Sequence, residues 1–263
     1  MADTGHSETK TVLHGCGINV LRGGKGPPLI YLHGSGGGGL WLPWMEDLSK
    51  KFSLIVPEHP GFGRSDMPEW LDGIHDLALF YLDFLASEGL SGVHLAGGSL
   101  GGWLAAEMAM FDCSRLKTLT LVGPAGIRVP GVKKWDMFIG TAEENARRLF
   151  HDRAMGDAAA QRATDPANAD TMMKNSFIVA RLAWQPRFYD PLLMKWLQRV
   201  KVPTLVLWGA DDAILPASYA KGFKERLPHA EIEIFPDCGH LPQLEKKDAF
   251  VARVTRFLEG SGR

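Results

Sequence analysis

Short apolar segments bounded by glycine and proline recur along the chain and predict strands. Several of these segments are apolar throughout instead of alternating, which is typical of strands covered on both faces. Helical patterns lie between the later segments, so the alternation predicts an α/β fold with a mostly parallel, eight-stranded sheet flanked by helices. The predicted strands are Thr11–Leu13, Ile18–Leu21, Leu29–Leu32, Leu54–Val56, Val93–Ala96, Leu119–Val122, Leu205–Trp208 and Ile232–Phe235, and the predicted helices between or after them are Leu77–Ser87, Leu100–Met110, Tyr219–Arg226 and Asp248–Leu258.

One long segment, residues 128–200, interrupts this rhythm because it contains no predicted strand. An insertion of this length is too long for a simple connection between two strands. We expect it to be a helical cap, inserted between strands 6 and 7 over the edge of the sheet where ligands bind in open α/β folds. Residues 1–127 and 201–263 would then form the core domain. Helical patterns in the cap occupy Lys133–Ile139, Glu143–His151, Ala169–Arg181 and Pro191–Gln198.

Charge and cysteine content narrow the classes of partner. The 263 residues include 29 basic and 30 acidic side chains, a net charge of −1, which gives no reason to expect a nucleic-acid or anionic-membrane partner. The three cysteines do not make a disulfide framework. Because no apolar stretch is long enough for a membrane span or typical of a signal peptide, we expect a cytoplasmic location. The sequence leaves open whether the chain forms a homodimer.

The sharpest chemical signal is Gly97-Gly98-Ser99-Leu100-Gly101, between a predicted strand and a predicted helix. This is the G-x-S-x-G pattern in the strand–turn–helix context that a nucleophilic serine requires. Glycines allow the tight, strained turn, and the helix that follows directs free N–H groups at developing negative charge. The pattern predicts that Ser99 is a nucleophile. The alternative is a serine that only caps the helix.

A nucleophilic serine needs a base and an acid that orients the base. His240 follows the last predicted strand, and Asp212 follows Leu205–Trp208, so both are expected at the sheet edge of Ser99. We favour Asp212 over its neighbour Asp211. The chain order Ser, Asp, His is the one found in α/β-hydrolases. The alternatives are an aspartate in a turn and a histidine in a surface loop.

A glycine-rich segment, His33-Gly34-Ser35 followed by Gly36–Gly39, comes directly after the strand Leu29–Leu32. Its backbone can approach a reacting carbonyl oxygen, so the N–H of Ser35 or Gly36 and the N–H of Leu100 are expected to form an oxyanion hole. A flexible loop is one alternative. A dinucleotide-binding loop is a second, which we disfavour because no clear helix opens after the glycines.

Together these segments resemble the α/β-hydrolase superfamily, in its branch of serine hydrolases with a helical cap. The resemblance spans nearly the whole chain in the family's order, and it implies the roles given above for Ser99, Asp212, His240 and the oxyanion donors. It also implies that residues 128–200 are the cap. The matching segments are His33-Gly34-Ser35-Gly36, Pro60-Gly61-Phe62-Gly63-Arg64-Ser65-Asp66, Gly97-Gly98-Ser99-Leu100-Gly101-Gly102, Trp208-Gly209-Ala210-Asp211-Asp212 and Gly239-His240.

Two departures from the family's patterns bear on the reaction. Relatives that dehalogenate or open epoxides use an aspartate nucleophile, which Ser99 excludes. Relatives that hydrolyse carbon–carbon bonds in ring meta-cleavage products often carry asparagine before the serine and tryptophan after the histidine. Here those positions are Gly98 and Leu241, which weakens that interpretation without removing it.

We therefore expect a serine esterase that cleaves a small or medium carboxylic ester through an acyl-enzyme, with a small-molecule substrate and no metal or organic cofactor. Two alternatives stay open. One is a hydrolase of carbon–carbon bonds in a vinylogous diketone acid, for which the same three residues would serve. The other is a receptor that binds a ligand on a hydrolase fold with little turnover.

Overall fold

The computed structural model describes residues 5–261, and its centre is a sheet of eight strands. Their lateral order is β1-β2-β4-β3-β5-β6-β7-β8. Strands β1 and β2 are antiparallel to their neighbours, whereas β3 to β8 are parallel to one another, so the expected mostly parallel sheet is confirmed. The strands are β1 (His6–Leu13), β2 (Cys16–Gly23), β3 (Pro28–Leu32), β4 (Ser53–Pro57), β5 (Val93–Gly98), β6 (Leu116–Val122), β7 (Thr204–Gly209) and β8 (Glu231–Phe235).

Helices pack on both faces of this sheet and bury two apolar clusters. One cluster includes side chains of α2, α3 and α8, and the other includes side chains of α1 and α10. None of the helices within residues 5–261 is long and apolar enough to cross a membrane. The helices are α1 (Pro43–Ser49), α2 (Ile74–Ser87), α3 (Leu100–Phe111), α4 (Ala142–Arg148), α5 (Arg153–Ala163), α6 (Ala169–Ala183), α7 (Pro191–Trp196), α8 (Tyr219–Arg226), α9 (Pro242–Glu245) and α10 (Lys247–Gly260), with 3₁₀ turns at Pro166–Asn168 and Leu197–Arg199.

The insertion between β6 and β7 carries the four helices α4 to α7. Three helical patterns predicted there correspond to α4, α6 and α7, although the helix α5 was not predicted. It begins after Asp152, whose side chain accepts hydrogen bonds from the N–H groups of Ala154 and Met155. That residues 128–200 act as a separate cap stays a prediction, and the outermost residues of the predicted core domain, 1–4 and 262–263, lie outside the described residues.

The helix predicted at Lys133–Ile139 is wrong, because this segment contains turns and irregular backbone. Its end forms a local turn at Asp136, and two of its other polar groups bond to distant parts of the chain. The N–H of Trp135 donates to the carbonyl of Ile214 at 3.0 Å, and the Lys134 ammonium donates to the carbonyl of Arg187 at 2.6 Å. Tertiary contacts have thus overridden a weak local helical pattern.

Candidate active site

Ser99 lies in the sharp turn between β5 and α3, with backbone angles φ 53° and ψ −114°. A residue with a side chain rarely adopts a positive φ, so this backbone is strained. Three hydrogen bonds hold it. The Ser99 N–H donates to the carbonyl of Val122 at 2.8 Å, and the Ser99 carbonyl accepts from the N–H groups of Trp103 at 3.0 Å and Ala125 at 3.1 Å.

The glycines two positions before and after Ser99 are required by space. A Cβ atom at Gly97 would lie 2.1 Å from the carbonyl oxygen of Gly101, and a Cβ at Gly101 would lie 2.0 Å from the carbonyl oxygen of Leu32. Because backbone occupies both places, the neighbour cannot move aside as a flexible side chain would. Helix α3 therefore packs directly against β3 and β5, and its first residue, Leu100, is buried next to Ser99.

Asp212 and His240 form a buried pair, with 2.7 Å between the Asp212 Oδ2 and the His240 Nδ1. The same Oδ2 accepts from the Trp208 indole N–H at 3.0 Å. The other oxygen, Oδ1, accepts from the backbone N–H groups of Ile214 at 2.8 Å and Leu215 at 2.9 Å. Since the carboxylate is surrounded by donors, the His240 Nδ1 donates to it and leaves Nε2 as the acceptor of the ring.

The loop that carries His240 is held tightly against the end of β7. A Cβ at Gly209 would lie 1.9 Å from the carbonyl oxygen of Gly239, and the Glu245 carboxylate accepts from the Gly239 N–H at 2.6 Å. The other oxygen of Glu245 accepts from the N–H groups of His151 and Asp152, each at 2.8 Å. Glu245 therefore ties the His240 loop to the inserted segment, a role that no local motif indicates.

The side chain of Asp211, the alternative acid that we disfavoured, contacts His151 instead of His240. This side chain is half exposed and lies 3.1 Å from the ring of His151. The structure thus brings Asp212, and not Asp211, into contact with His240.

The glycine-rich loop after β3 has a fixed peptide orientation at Gly34 and Ser35. The Gly34 carbonyl accepts from the His33 Nδ1 at 2.7 Å and from the Gly37 N–H at 3.2 Å. In a trans peptide the C=O and the following N–H point in opposite directions, so the bonds to this carbonyl also orient the Ser35 N–H. A Cβ built on Gly34 would lie 3.3 Å from the Ser99 Cβ, which places this peptide beside the nucleophile turn.

A second histidine, His59, bonds to His33 at the start of this loop. The His59 N–H donates to the His33 Nε2 at 2.9 Å, the His59 Nε2 donates to the His33 carbonyl at 3.0 Å, and the two rings stack with centroids 3.7 Å apart. The His59 Nδ1 accepts from the Tyr81 hydroxyl at 2.7 Å. Burial lowers the pKa of His33 to about 4 and holds the pKa of His59 well below its ordinary value, so both rings are neutral at pH 7.

Helix α6 contacts this loop through Asn175, which is buried. The Asn175 amide donates to the carbonyl of Gly36 at 3.3 Å and accepts from the N–H of Gly63 at 3.0 Å. The adjacent Lys174 ammonium donates to the carbonyls of Gly63 and Ser65, each at 2.7 Å. No sequence pattern indicates this role for Asn175, because its partners lie more than a hundred residues away and belong to no motif with it.

All of the predicted site residues belong to one edge of the sheet, which we call the carboxyl edge. It is the edge where the parallel strands β3, β5, β7 and β8 end, at Leu32, Gly98, Gly209 and Phe235. Ser35 and Gly36 follow β3, Ser99 and Leu100 follow β5, Asp212 follows β7, and His240 follows β8. The topology therefore places a strained serine, a buried imidazole–carboxylate pair and a glycine-rich backbone loop at the same edge of the sheet.

Two clusters elsewhere within residues 5–261 bring three metal-ligating side chains together. One consists of His75, Glu107 and Asp190, and the other of His151, Asp211 and Asp237. Neither cluster includes Ser99, Asp212 or His240.

The family model and the similar proteins of known sequence all indicate the same family. The sequence model of the α/β hydrolase fold matches residues 27–247. The chain is 30% identical to 2-hydroxymuconate semialdehyde hydrolase of Pseudomonas sp. (strain CF600) over 264 residues, which cover 93% of this chain and 91% of the relative. It is 28% identical to Lipase 3 of Moraxella sp. (strain TA144) over 236 residues, which cover 84% of this chain and 73% of the relative.

A solved structure supports the same fold. The crystal structure of a membrane phospholipase A, a bacterial virulence factor, is similar to this chain with a TM-score of 0.84 and 25% sequence identity. The similarity covers 98% of this chain and 87% of that one.

Proposed function

Because this chain belongs to the α/β-hydrolase fold family and is a hydrolase, we propose that it is a serine esterase acting on small or medium carboxylic esters. In this proposal Ser99 is the nucleophile, His240 the base and Asp212 the acid that orients the base. The observation that carries the proposal is the buried 2.7 Å contact between Asp212 and His240 at the sheet edge where strained Ser99 lies. An imidazole whose Nδ1 donates to a carboxylate presents Nε2 to accept a proton.

The first half of the reaction forms an acyl-enzyme. The His240 Nε2 takes the hydroxyl proton of Ser99 while the Ser99 oxygen bonds to the ester carbonyl carbon, and an electron pair moves onto the carbonyl oxygen. The N–H groups of Leu100 and Ser35 stabilise that oxyanion. When the tetrahedral intermediate collapses, the bond to the alkoxy oxygen breaks and His240 gives its proton to the leaving alcohol.

The second half repeats these steps with water. His240 takes a proton from water, the hydroxide oxygen bonds to the acyl carbon, and the carboxylic acid leaves as the Ser99 oxygen regains a proton from His240. Asp212 stabilises the imidazolium in both halves and keeps the ring in one tautomer.

Ser35 is the better candidate than Gly36 for the second oxyanion donor. The Gly34 carbonyl is held by two donors, so the direction of the Ser35 N–H is fixed in the same peptide. Gly36 is exposed, and its carbonyl is the atom that Asn175 binds. We propose that Asn175 positions the loop without touching the substrate.

The second candidate function is hydrolysis of a carbon–carbon bond. Its support is the 30% identity to 2-hydroxymuconate semialdehyde hydrolase over most of both chains. Gly98 and Leu241 are the residues that favour the ester, since they replace the asparagine and tryptophan that often mark such enzymes. The similarity to Lipase 3 supports the ester as well.

One assay separates the two functions. Wild-type protein and the Ser99→Ala variant are each incubated with a series of p-nitrophenyl esters and with a 2-hydroxy-6-oxo-dienoate. The value of kcat/KM is measured for every pair of protein and substrate. We expect the highest kcat/KM for one of the esters and loss of turnover in the variant. A higher kcat/KM for the dienoate would replace the ester proposal by the carbon–carbon one. Labelling by a fluorophosphonate reports Ser99 activation, and wild-type protein that resists labelling would refute both.

A further inference from the structure

Three titratable side chains from separate elements meet away from the carboxyl edge. His75 lies at the start of α2, Glu107 lies in the second half of α3, and Asp190 precedes α7. The His75 Nε2 is 2.7 Å from the Asp190 Oδ2 and 3.9 Å from the Glu107 Oε2. The nearest ligating atoms of all three side chains lie within 4.8 Å of one another.

The carboxyl group of Glu107 is incompletely partnered. Its side chain has no exposed surface, and its Oε1 accepts from the Trp103 indole N–H at 2.7 Å. Its Oε2, the oxygen that faces His75, is buried and receives no N–H donor, and the Glu107 and Asp190 carboxyl groups lie within hydrogen-bonding reach of each other. Two carboxyl groups in contact cannot both be ionised without compensation, so this contact requires either a shared proton or a bound cation.

The polar groups around Glu107 already have other partners. Asp190 accepts from the N–H groups of Leu192 at 2.8 Å and Leu193 at 3.2 Å, which fixes both of its oxygens at the start of α7. His75 offers one ring nitrogen to two carboxyl groups and cannot satisfy both. Its side chain is 41% exposed, so solvent reaches the cluster from the side of His75.

We infer that His75, Glu107 and Asp190 form a binding site for one divalent transition-metal ion. An imidazole nitrogen and two carboxylate oxygens are ligands that Zn²⁺ and similar ions accept, and water from the exposed side completes the coordination. The ion replaces the hydrogen bond between His75 and Asp190 and compensates the contact between the Glu107 and Asp190 carboxylates.

From the position of the site we expect the ion to stabilise the fold, because it would join the inserted segment to the core. Phe188, Tyr189 and Asp190 form the stretch by which the inserted segment returns to the core. The Gly126 N–H donates to the carbonyl of Phe188 at 3.1 Å, and the Asp190 N–H donates to the carbonyl of Gly126 at 3.0 Å. An ion held by α2, α3 and Asp190 joins that stretch to two core helices. Glu107 lies eight residues beyond Ser99, or about 12 Å along the helix, so the ion is remote from the reacting atoms.

The test is metal titration of chelator-treated protein, followed by isothermal calorimetry with Zn²⁺ and by the absorption spectrum with Co²⁺. We expect one ion per chain, a Tm that rises with the ion concentration, and a Co²⁺ spectrum without a thiolate charge-transfer band. In Glu107→Gln, which keeps an acceptor for the Trp103 indole, and in His75→Gln, the Kd should rise at least tenfold. His151→Gln, which removes the imidazole of the other cluster, should leave the Kd unchanged.

Several outcomes would overturn the inference. The first is the absence of saturable binding by folded wild-type protein, which would mean that a proton satisfies Glu107. The second is unchanged binding in Glu107→Gln, and the third is binding that His151→Gln abolishes. A thiolate band would assign the ion to Cys16, Cys113 or Cys238. Circular dichroism and fluorophosphonate labelling establish that each variant is folded, independently of metal.

Discussion

The carboxyl edge of the sheet and the inserted segment between β6 and β7 hold their side chains in different ways. At the edge, Asp212 is buried and accepts from three N–H donors besides His240. In the inserted segment, large apolar side chains are exposed, among them Ile139 at 75%, Met173 at 71%, Phe177 at 59% and Trp184 at 51%. The polar groups of the edge are therefore held in fixed positions by hydrogen bonds, whereas several large apolar side chains of the insertion are exposed and do not pack in the core.

This contrast suggests a division of labour within the proposed esterase. Bond making and breaking need groups held to within fractions of an ångström, and only the edge holds its groups from several sides. Selection of an acyl or alcohol group needs apolar area near the site, and we propose that the insertion supplies it. Substitutions at the edge should therefore act on kcat, and substitutions in the insertion should act mainly on KM and on substrate preference.

The largest effect is expected for the nucleophile. Ser99→Ala removes the oxygen that attacks the ester carbonyl carbon and carries the acyl group in the proposed mechanism, so kcat for a p-nitrophenyl ester should fall by about 10⁶-fold. Ser35→Ala is the matched control, because Ser35 acts through its backbone N–H, which alanine retains. The control should keep kcat within a few-fold of wild type. Equal activity of Ser99→Ala and wild type would remove the basis of the proposed function.

The next effect concerns the orienting acid. Asp212→Asn replaces an acceptor by a group that can donate to His240, which favours the wrong ring tautomer and should lower kcat by about 10⁴-fold. Asp211→Asn, one residue away, changes a half-exposed side chain that contacts His151 and should leave kcat near the wild-type value. If Asp211→Asn had the large effect instead, the assignment of the acid would be wrong.

A third prediction concerns the stability of the edge in acid. His33 and His59 are neutral in the folded protein because burial lowers the pKa of both, to about 4 for His33, whereas in the unfolded chain histidine titrates at about 6.5. Between these values the unfolded chain binds more protons, so the free energy of unfolding decreases as the pH falls from about 6.5 toward 4. The loss from His33 alone should be about 2 kcal/mol at pH 5, and His59 adds to it in the same direction.

Urea unfolding at pH 7 and pH 5 measures this loss. Replacing His33 by asparagine should destabilise the protein at pH 7 and reduce the additional loss at pH 5. The control is His151→Gln in the inserted segment, where the histidine is 45% exposed, and it should leave the pH dependence unchanged. A wild-type protein equally stable at both pH values would contradict the burial of two neutral imidazoles.

How far the sequence predicts this molecule follows from the range of the interactions involved. The position of Ser99, Asp212 and His240 at one edge could be predicted because each lies in a short motif directly after an apolar strand, and parallel strands end at one edge. Their catalytic roles stay predictions. The choice of Asp212 over Asp211 agrees with the contact to His240. The helix at Tyr219–Arg226 has the predicted bounds, since its apolar positions keep the helical spacing.

The residues that could not be predicted depend on partners distant in sequence. Glu245 binds N–H groups of Gly239, His151 and Asp152, and no spacing in the sequence encodes that combination. The segment Lys133–Ile139 carries a helical pattern, but its backbone bonds to the loop after β7. Periodicity within a window contains no information on such distant partners.

The smallest effect is expected where the two regions meet. Asn175→Ala removes the bonds from α6 to the Gly36 carbonyl and the Gly63 N–H, so the glycine loop should lose part of its fixed position. We expect kcat to fall about tenfold, less than the 10²- to 10³-fold typical of losing an oxyanion donor, because the Ser35 N–H remains present. Asn168→Ala, which alters an exposed asparagine just before α6, is the control and should keep both kcat and KM. A rise in KM with unchanged kcat would mean instead that Asn175 acts on substrate binding. Asn175 would then belong with the residues of the inserted segment that select the substrate, and not with those that support the carboxyl edge.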